Sequence, residues 1–494
     1  MSFAVRVFSI FLFAVTFSPV YAQEQLGMRL ERYSGLYGAA INPANTAFNP
    51  NNWEINLFNA QIFVENSYAF LQNTSLPKAL RNSDKIFSIA DASPERPIPD
   101  DAIVQDFFDR DRNMHGALHV AAGAPGFSFR FKTQHTLGLV SNVRSSFAGY
   151  DIPSVLRYSV LSTLPRFRVL DIDPVNVNLM NWGEIGLHYS YRNDDYETRQ
   201  FAIGVTPKYL MGFEALHLRA AGTFDYSQQQ GDTVAFARAD WRYAFTTGNL
   251  NSDQNGYKLQ RQGAGMGIDL GFVLAQRADD AANETDYAWK IGASLLDLGF
   301  IRFAKSAQRH RIRFDSEKRV SDADFPGRDN AQDIINDLST AFLGTPDASL
   351  TAESFSMALP AALSLQGELR LRRGLYVNAL LIQRMPMGRI AVYRPNTLAL
   401  TPRFEHKWFS FSLPVVLNDW RSVRMGAAGR LAFLHFGTDN LGSFFTKAAL
   451  TGTDFYIGLK INGFRIPLPQ LGSGGKRSSG GGGSKMGKIK CYKF

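Results

Sequence analysis

Hydroxyl and charged side chains at alternate positions are the residues in this sequence whose types and spacing could do chemistry. His188 and Ser190 share one side of an extended pattern, as a base and its nucleophile would. Hydrolysis would need them paired at the bilayer level with an orienting polar group, whereas this pair falls on the face that a barrel would turn to its lumen. The spacings H-E-x-x-H and G-x-S-x-G do not occur. Gly475-Lys476 fails as a phosphate loop, because Arg477 stands where Ser or Thr is required and Gln470 where the first glycine belongs. Cys491 is the single cysteine, which excludes an internal disulfide and a thiolate metal cluster. The sequence therefore reads as non-enzymatic, with no catalytic residue, no cofactor site and no metal ligand.

What remains is a face of charge. His217, Arg219, Asp225, Asp269, Lys290, Glu368, Arg370 and Arg372 alternate with apolar neighbours. They suit a polar channel, a substrate path, or an interlocked salt-bridge network filling a lumen without a pore. A second set, Arg309, His310, Arg311 and Arg313, falls where strand spacing lapses. It reads as a loop meeting lipid phosphates or an anionic partner, or as a solvated loop face.

The element that must position these residues is clearest over Gln262 to Gln276. Ala264, Met266, Ile268, Leu270, Phe272 and Leu274 alternate with Gly263, Gly265, Gly267, Asp269 and Gly271. Period two with one apolar face is a strand, and the length suits a tilted bilayer crossing of about 9–11 residues. Glycine and aspartate opposite suit a barrel interior. The same alternation recurs, with Ile185, Leu187, Tyr189 and Tyr191 against Glu184, Gly186, His188 and Ser190, and with Phe455, Ile457, Leu459 and Ile461 against Tyr456, Gly458 and Lys460.

Fifteen such segments can be marked, and single-chain bacterial barrels have an even number of strands. The expected fold is an all-β transmembrane antiparallel barrel of fourteen strands, with sixteen the next choice. The spacing predicts a first strand over Trp53 to Phe70 with a bulge near Phe58-Asn59, and a hairpin turning at Lys132-Thr133-Gln134. Further turns are expected at Asn193-Asp194-Asp195 and Arg372-Arg373-Gly374. Long external excursions are expected at 71–114, 148–182 and 301–352, holding helices over Ala102–Phe108, Ile152–Leu164 and Ala331–Phe342. The six tryptophans fall in or beside the strands, several near predicted ends, as an interfacial girdle requires.

Outside the barrel the chain divides simply. Residues 1–22 read as a signal peptide, with Arg6, the apolar run Val7–Val15 and a small-x-Ala site ending at Ala22. Residues 23–52 carry Asn42-Pro43-Ala44 and Asn49-Pro50, which set turns in a periplasmic segment or a lumen plug. The barrel follows over 53–463, and 464–494 form a Gly/Ser-rich basic tail placed in the periplasm, with an engineered linker also conceivable at Gly480–Lys485. Of the formal charge of +9, six cations from Lys476 to Lys493 and Arg6 account for seven, leaving the body near +2. The basic balance is thus a property of the tail and gives no nucleic-acid surface.

The segments Gly35-Leu36-Tyr37-Gly38-Ala39-Ala40 with Asn42-Pro43-Ala44, Gly204-Val205-Thr206-Pro207-Lys208-Tyr209, Gly267-Ile268-Asp269-Leu270-Gly271, Leu295-Leu296-Asp297-Leu298-Gly299 and Asp454-Phe455-Tyr456-Ile457-Gly458 together carry a resemblance over roughly 30–463. The chain resembles an uncharacterised family of outer-membrane barrels from Bacteroidota. That family is distantly similar to long-chain fatty-acid transporters and to porin-like barrels of type IX secretion. The resemblance implies fourteen strands, a small N-terminal plug and no assigned activity. The pre-barrel segment is shorter than a fatty-acid transporter hatch. Location in the outer membrane, contact with its lipid, and a channel for small apolar or amphipathic molecules follow as expectations. A structural or secretion-associated barrel, recruiting envelope proteins through its loops and tail, is the alternative.

Overall fold

The computed structural model describes residues 24–463, apart from 124, 162–166, 194–198, 228–232, 250–257, 282–283, 326–330 and 446–448. The leader, the tail and most of the Asn193-Asp194-Asp195 turn lie outside the described residues.

Fourteen antiparallel strands close into a barrel. They are β1 (Trp53–Asn66), β2 (Met114–Gly123 and Gly126–Phe131), β3 (His135–Ile152), β4 (Phe167–Arg192) and β5 (Arg199–Ser227). Next come β6 (Thr233–Thr246 and Gly263–Arg277), β7 (Tyr287–Phe303, Ala307–Phe314 and Lys318–Ser321) and β8 (Leu350–Ala352, Phe355–Ala358 and Ala362–Arg372). The last six are β9 (Leu375–Arg384), β10 (Thr397–Glu405), β11 (Phe409–Ser412 and Val415–Asn418), β12 (Ser422–Met425 and Ala427–Leu431), β13 (Leu434–Thr438) and β14 (Gly452–Asn462). Closure is made by β14 on β1, from Glu54 opposite Asn462 to Glu65 opposite Gly452.

Side chains invert the order of a soluble protein. Outward positions are apolar, including Ile55, Leu57, Phe127, Leu187, Ile203, Phe272, Leu400 and Phe455, with Met266 77% exposed. Inward positions are polar and buried, among them Glu54, Gln61, His188, Lys208, Asp269, Glu368, Arg403 and Lys460. An apolar belt around a closed backbone ladder satisfies every main-chain group inside hydrocarbon without water. The protein is an outer-membrane barrel. Among the described residues no helix is long and apolar enough to cross a membrane. Short turns, such as the one through Lys132 and Thr133 (φ 49° and 53°), mark the periplasmic end. Long loops mark the outer end.

Several boundaries differ from expectation, the largest because strands continue beyond the lipid, where polar residues replace the apolar half of the pattern. β4 and β5 run 26 and 29 residues, far more than a bilayer crossing needs at about 3.3 Å per residue. Residues 167–182 are therefore strand rather than loop. Among the described residues of the expected helix Ile152–Leu164, a 3-10 turn at Ser154–Leu156 and a single α-helical turn at Tyr158–Leu161 take its place, and 162–164 lie outside the described residues. The Ala102–Phe108 segment is also strand: Ile103–Phe107 pairs with Ala69–Leu71 and Ile86–Ser88 in a separate sheet, so β1 stops at Asn66. Helix Ala331–Leu343 does form and packs Phe342 on Phe236, Trp241 and Phe314.

The tryptophans divide. Trp53 and Trp420 are exposed, whereas Trp182 is fully buried toward the lumen and Trp241 packs on the outer helix, so neither of the latter belongs to a girdle.

Candidate functional site

Residues 24–52 fold into the lumen. Two single-turn helices, Leu26–Arg29 and Leu36–Ala39, and a 3-10 helix over Pro43–Phe48 make a compact plug, nearly all of it buried. Asn42 is the N-cap of the last helix: its Oδ1 accepts from Ala44 N at 2.9 Å, and Pro43 occupies the first turn, where no N–H is needed. The Asn42 Nδ2 donates to the carbonyl oxygens of Phe272 and Ala293 at 3.1 and 3.4 Å. The wall beneath is glycine. A Cβ on Gly204 would lie 2.4 Å from Ala44 N, and one on Gly292 2.8 Å from Asn42 Nδ2. Thr46 Oγ1 lies 2.7 Å from both His188 Nε2 and Ser190 Oγ, so that pair holds the plug.

Charge fastens the rest. Glu31 meets Arg430 at 2.9 Å and His435 at 3.0 Å. Burial pushes the Glu31 carboxyl up, but Arg430 and then His435 outweigh it and hold the group below the usual carboxylate range. Arg32 pairs with Asp286, and its backbone N–H donates to Glu405. Glu54 accepts from Leu36 N at 2.6 Å and pairs with Lys460 at 3.3 Å.

A second inward element comes from the outer side. The loop 385–396 between β9 and β10 dips into the lumen, where Ala391 bridges Ala358 of β8 and its carbonyl accepts from Asn178 of β4 at 2.8 Å. Tyr393 stacks on Tyr150 of β3, with centroids 4.7 Å apart. Val392 caps an apolar cluster of Met180, Trp182, Leu210, Phe303, Phe355 and Met357. Arg394 then reaches down to Glu24 of the plug at 2.9 Å and to Asp297 at 3.5 Å. Asp297 also binds Arg144 and Lys208, each at 2.9 Å. One unbroken chain of ion pairs thus joins outer loop, wall and plug.

Between plug and wall at β1–β3 lies a cavity of about 110 Å3. Arg29, Arg144, Lys208, Arg394, Asp269 and Asp297 are among its lining, as are Asn56 and His119. Burial lowers the Arg29 guanidinium; Glu24 pulls against this, while nearby Arg394 and Arg144 lower it further, to about 10.

The residues marked from sequence scatter around this site. Asp269 sits in it, 2.6 Å from Lys208. Lys290 and Glu368 form a separate cluster 3.7 Å apart, with Arg403 2.6 Å from Glu368. His217 bonds Asn178 higher up. Arg219 is exposed beyond it, outside the enclosed lumen, and the Asp225 side chain lies outside the described residues. Arg370 pairs with Asp280 at the periplasmic rim and Arg372 is exposed there, so these two are rim rather than lumen residues. The Arg309–Arg313 run is no loop: Ala307–Phe314 is strand, with His310 buried against Tyr243 and Phe245 and Arg311 3.0 Å from Asp240. It looked irregular because it lies above the lipid, where outward residues can be charged. Arg144 was missed despite obeying the strand period, and Lys460, read on the inward face, was not marked as a site residue. Asp297 was missed because its positive φ of 53° breaks the alternation.

The family model that matches this chain spans residues 43–439, most of its length. The chain belongs to DUF5723, a family of unknown function. The DUF5723 match begins at Pro43, inside the plug turn. No curated protein matches the sequence. Among solved structures, the chain is similar to the toluene transporter TbuX of Ralstonia pickettii, at 8% identity over 87% of this chain and 94% of that one, with a TM-score of 0.28. It is also similar to a Pseudomonas aeruginosa FadL homologue, at 8% identity over 90% and 99%, with a TM-score of 0.22, and to a TodX mutant, a monoaromatic hydrocarbon channel, at 10% identity over 87% and 93%, with a TM-score of 0.28. These likenesses assign no residue a role.

Proposed function

We propose that this barrel is a gated transport channel for small apolar or amphipathic molecules, closed in this structure. The observation that carries the reading is that the lumen is blocked by separable chain, the plug and the inward loop, and not by wall side chains alone. The packed apolar cluster under Val392 is the first apolar surface such a molecule would meet once the loop moves. Below it, the ion-pair chain from Arg394 to Glu24 couples loop position to plug position. The Asn42-Pro43-Ala44 turn is the seat on which the plug closes.

A structural or secretion-associated barrel, meeting envelope proteins at its loops, is the second reading, favoured by how thoroughly buried ion pairs fill the lumen. Thr46→Cys with Ser190→Cys, in a Cys491→Ser background, separates the two, since the native oxygens stand 2.7 Å apart. In liposomes, uptake of 1-naphthol that stops on oxidation and returns on reduction supports gating. Equal uptake in both redox states refutes a moving plug. Absence of uptake even from a chain lacking 24–52 leaves the scaffold.

A further inference from the structure

Donors and acceptors around the β1–β3 cavity do not balance. The four carboxylates there are committed: Glu24 to Arg394, Asp297 to Arg144, Lys208 and Arg394, Asp269 to Lys208 and the Asp297 N–H, and Glu184 to Asn142 and Arg144. Of the four cations, Lys208 and Arg394 are committed too, but Arg144 and Arg29 are not fully used. Arg144 uses only its Nη1, leaving Nε and Nη2 without a protein partner among the described residues. Its plane rests on Trp182 with the guanidinium carbon 4.8 Å from the ring centre, which fixes the fork's direction without consuming a donor. Arg29 bonds Gln25 through Nε at 3.1 Å and Gln61 through Nη2 at 3.4 Å, and its Nη1 has only Glu24, at 3.6 Å.

Two neutral groups add to the surplus. His119 is 8% exposed, and Asn56 is 7% exposed. Neither side chain makes a hydrogen bond among the described residues, so the His119 ring N–H and the Asn56 Nδ2 are donors without an acceptor there. Buried polar atoms left unmade cost about 1–3 kcal/mol each. A site that strands several, all facing one space, is built for an occupant. Water alone satisfies part of the need, at roughly 10–15 Å3 per molecule on this measure of volume. What water lacks is negative charge between two guanidinium groups.

We infer that the cavity between plug and wall is a binding site for a small hydrophilic oxyanion, a phosphate or a short carboxylate, held in the fork of Arg144 and Arg29 and completed by His119 and Asn56. Guanidinium forks match the paired oxygens of both anions, and charge-assisted bonds in such a site are about twice as strong as neutral ones. The site is distinct from the apolar cluster under Val392. It rests on the closed lumen and not on transport, and because Arg29 belongs to the plug, an anion there ties plug to wall.

The test is calorimetric titration of the purified full chain in detergent with inorganic phosphate, with sodium acetate, and with glycerol as a neutral solute. Saturable binding of an anion but not of glycerol is expected, the preferred anion telling phosphate from carboxylate. Arg29→Gln and His119→Phe weaken it tenfold or more, while Arg370→Gln at the rim leaves it unchanged. His119→Phe touches no ion pair, so it reports on the site even if Arg29→Gln disturbs the plug. No saturable heat with either anion, equal binding of glycerol, or binding undiminished in both variants overturns the assignment. Anion binding that persists in a barrel with no solute flux removes the gate and keeps the site.

Discussion

A Cβ built on Gly271 would stand 2.1 Å from the Oδ1 of Asn42, so the tightest turn of the plug rests on a strand residue that has no side chain. The strand that announces the barrel in the sequence is thus also the plug's floor. Gly271→Ala should displace the turn rather than the wall, because lipid-facing Leu270 and Phe272 hold the strand independently. Overpacking of this kind costs about 1–3 kcal/mol. The expected outcome is faster proteolysis between Leu36 and Phe48, with the heat-modifiable gel shift of the folded barrel unchanged. A plug as protected as in the parent would show that the floor gives way instead.

Arg394 and Glu24 test the coupling between outer loop and plug. Both are buried, and removing one partner of such a pair leaves an uncompensated charge at a cost of about 3–5 kcal/mol. Arg394→Met should therefore loosen the plug at Glu24 as well as the loop at Tyr393, while the double change Arg394→Met with Glu24→Met restores much of the loss. Hydrogen exchange of residues 25–31 reads the effect. Two single changes that simply add would mean that loop and plug are not linked through this pair.

How much of this was legible depended on where a residue sits relative to lipid. Within the membrane the environment enforces period two, so Met266, Ile268 and Leu270 declared their face, and Asn42-Pro43 declared a turn. Above the membrane both faces of β4–β7 tolerate charge, and Arg309–Arg313 passed for a loop. The site itself was hidden for a different reason. Arg394 lies on an inward loop, Glu24 on the plug and Asp297 at a bulge, and no local pattern relates three such positions.

Glu31 gives the plug a dependence on acid. Its carboxyl is held below the ordinary range in the folded chain, with burial opposed by Arg430 and His435. A depressed folded value means that the stabilisation is present above the unfolded value of about 4.3 and is lost as pH falls below it. Plug protection against protease should hold at neutral pH and decline below about pH 4. In Glu31→Gln this part of the decline should be absent, and the plug should already be looser at pH 7. A parent plug with no change in protection between pH 7 and pH 3 would show that the Glu31 contacts do not hold it.

The depth of the barrel in the bilayer fixes a last expectation. Phe272 lies five residues from the periplasmic end of its strand at Arg277, and Met266 lies eleven. At about 3.3 Å per residue and a tilt near 40°, these are roughly 12 and 28 Å along the membrane normal. The apolar band of such barrels is about 25 Å tall, which puts Phe272 near its middle and Met266 at its outer edge. Phe272→Lys should then cost about 2–4 kcal/mol and Met266→Lys about 0–1, although Met266 is the more exposed of the two. Equilibrium unfolding from phospholipid vesicles in guanidinium measures both. Equal costs, or the reverse order, would require the lipid to sit higher on the strands, and would move Asp297 and the ion pairs around it toward the periplasmic mouth.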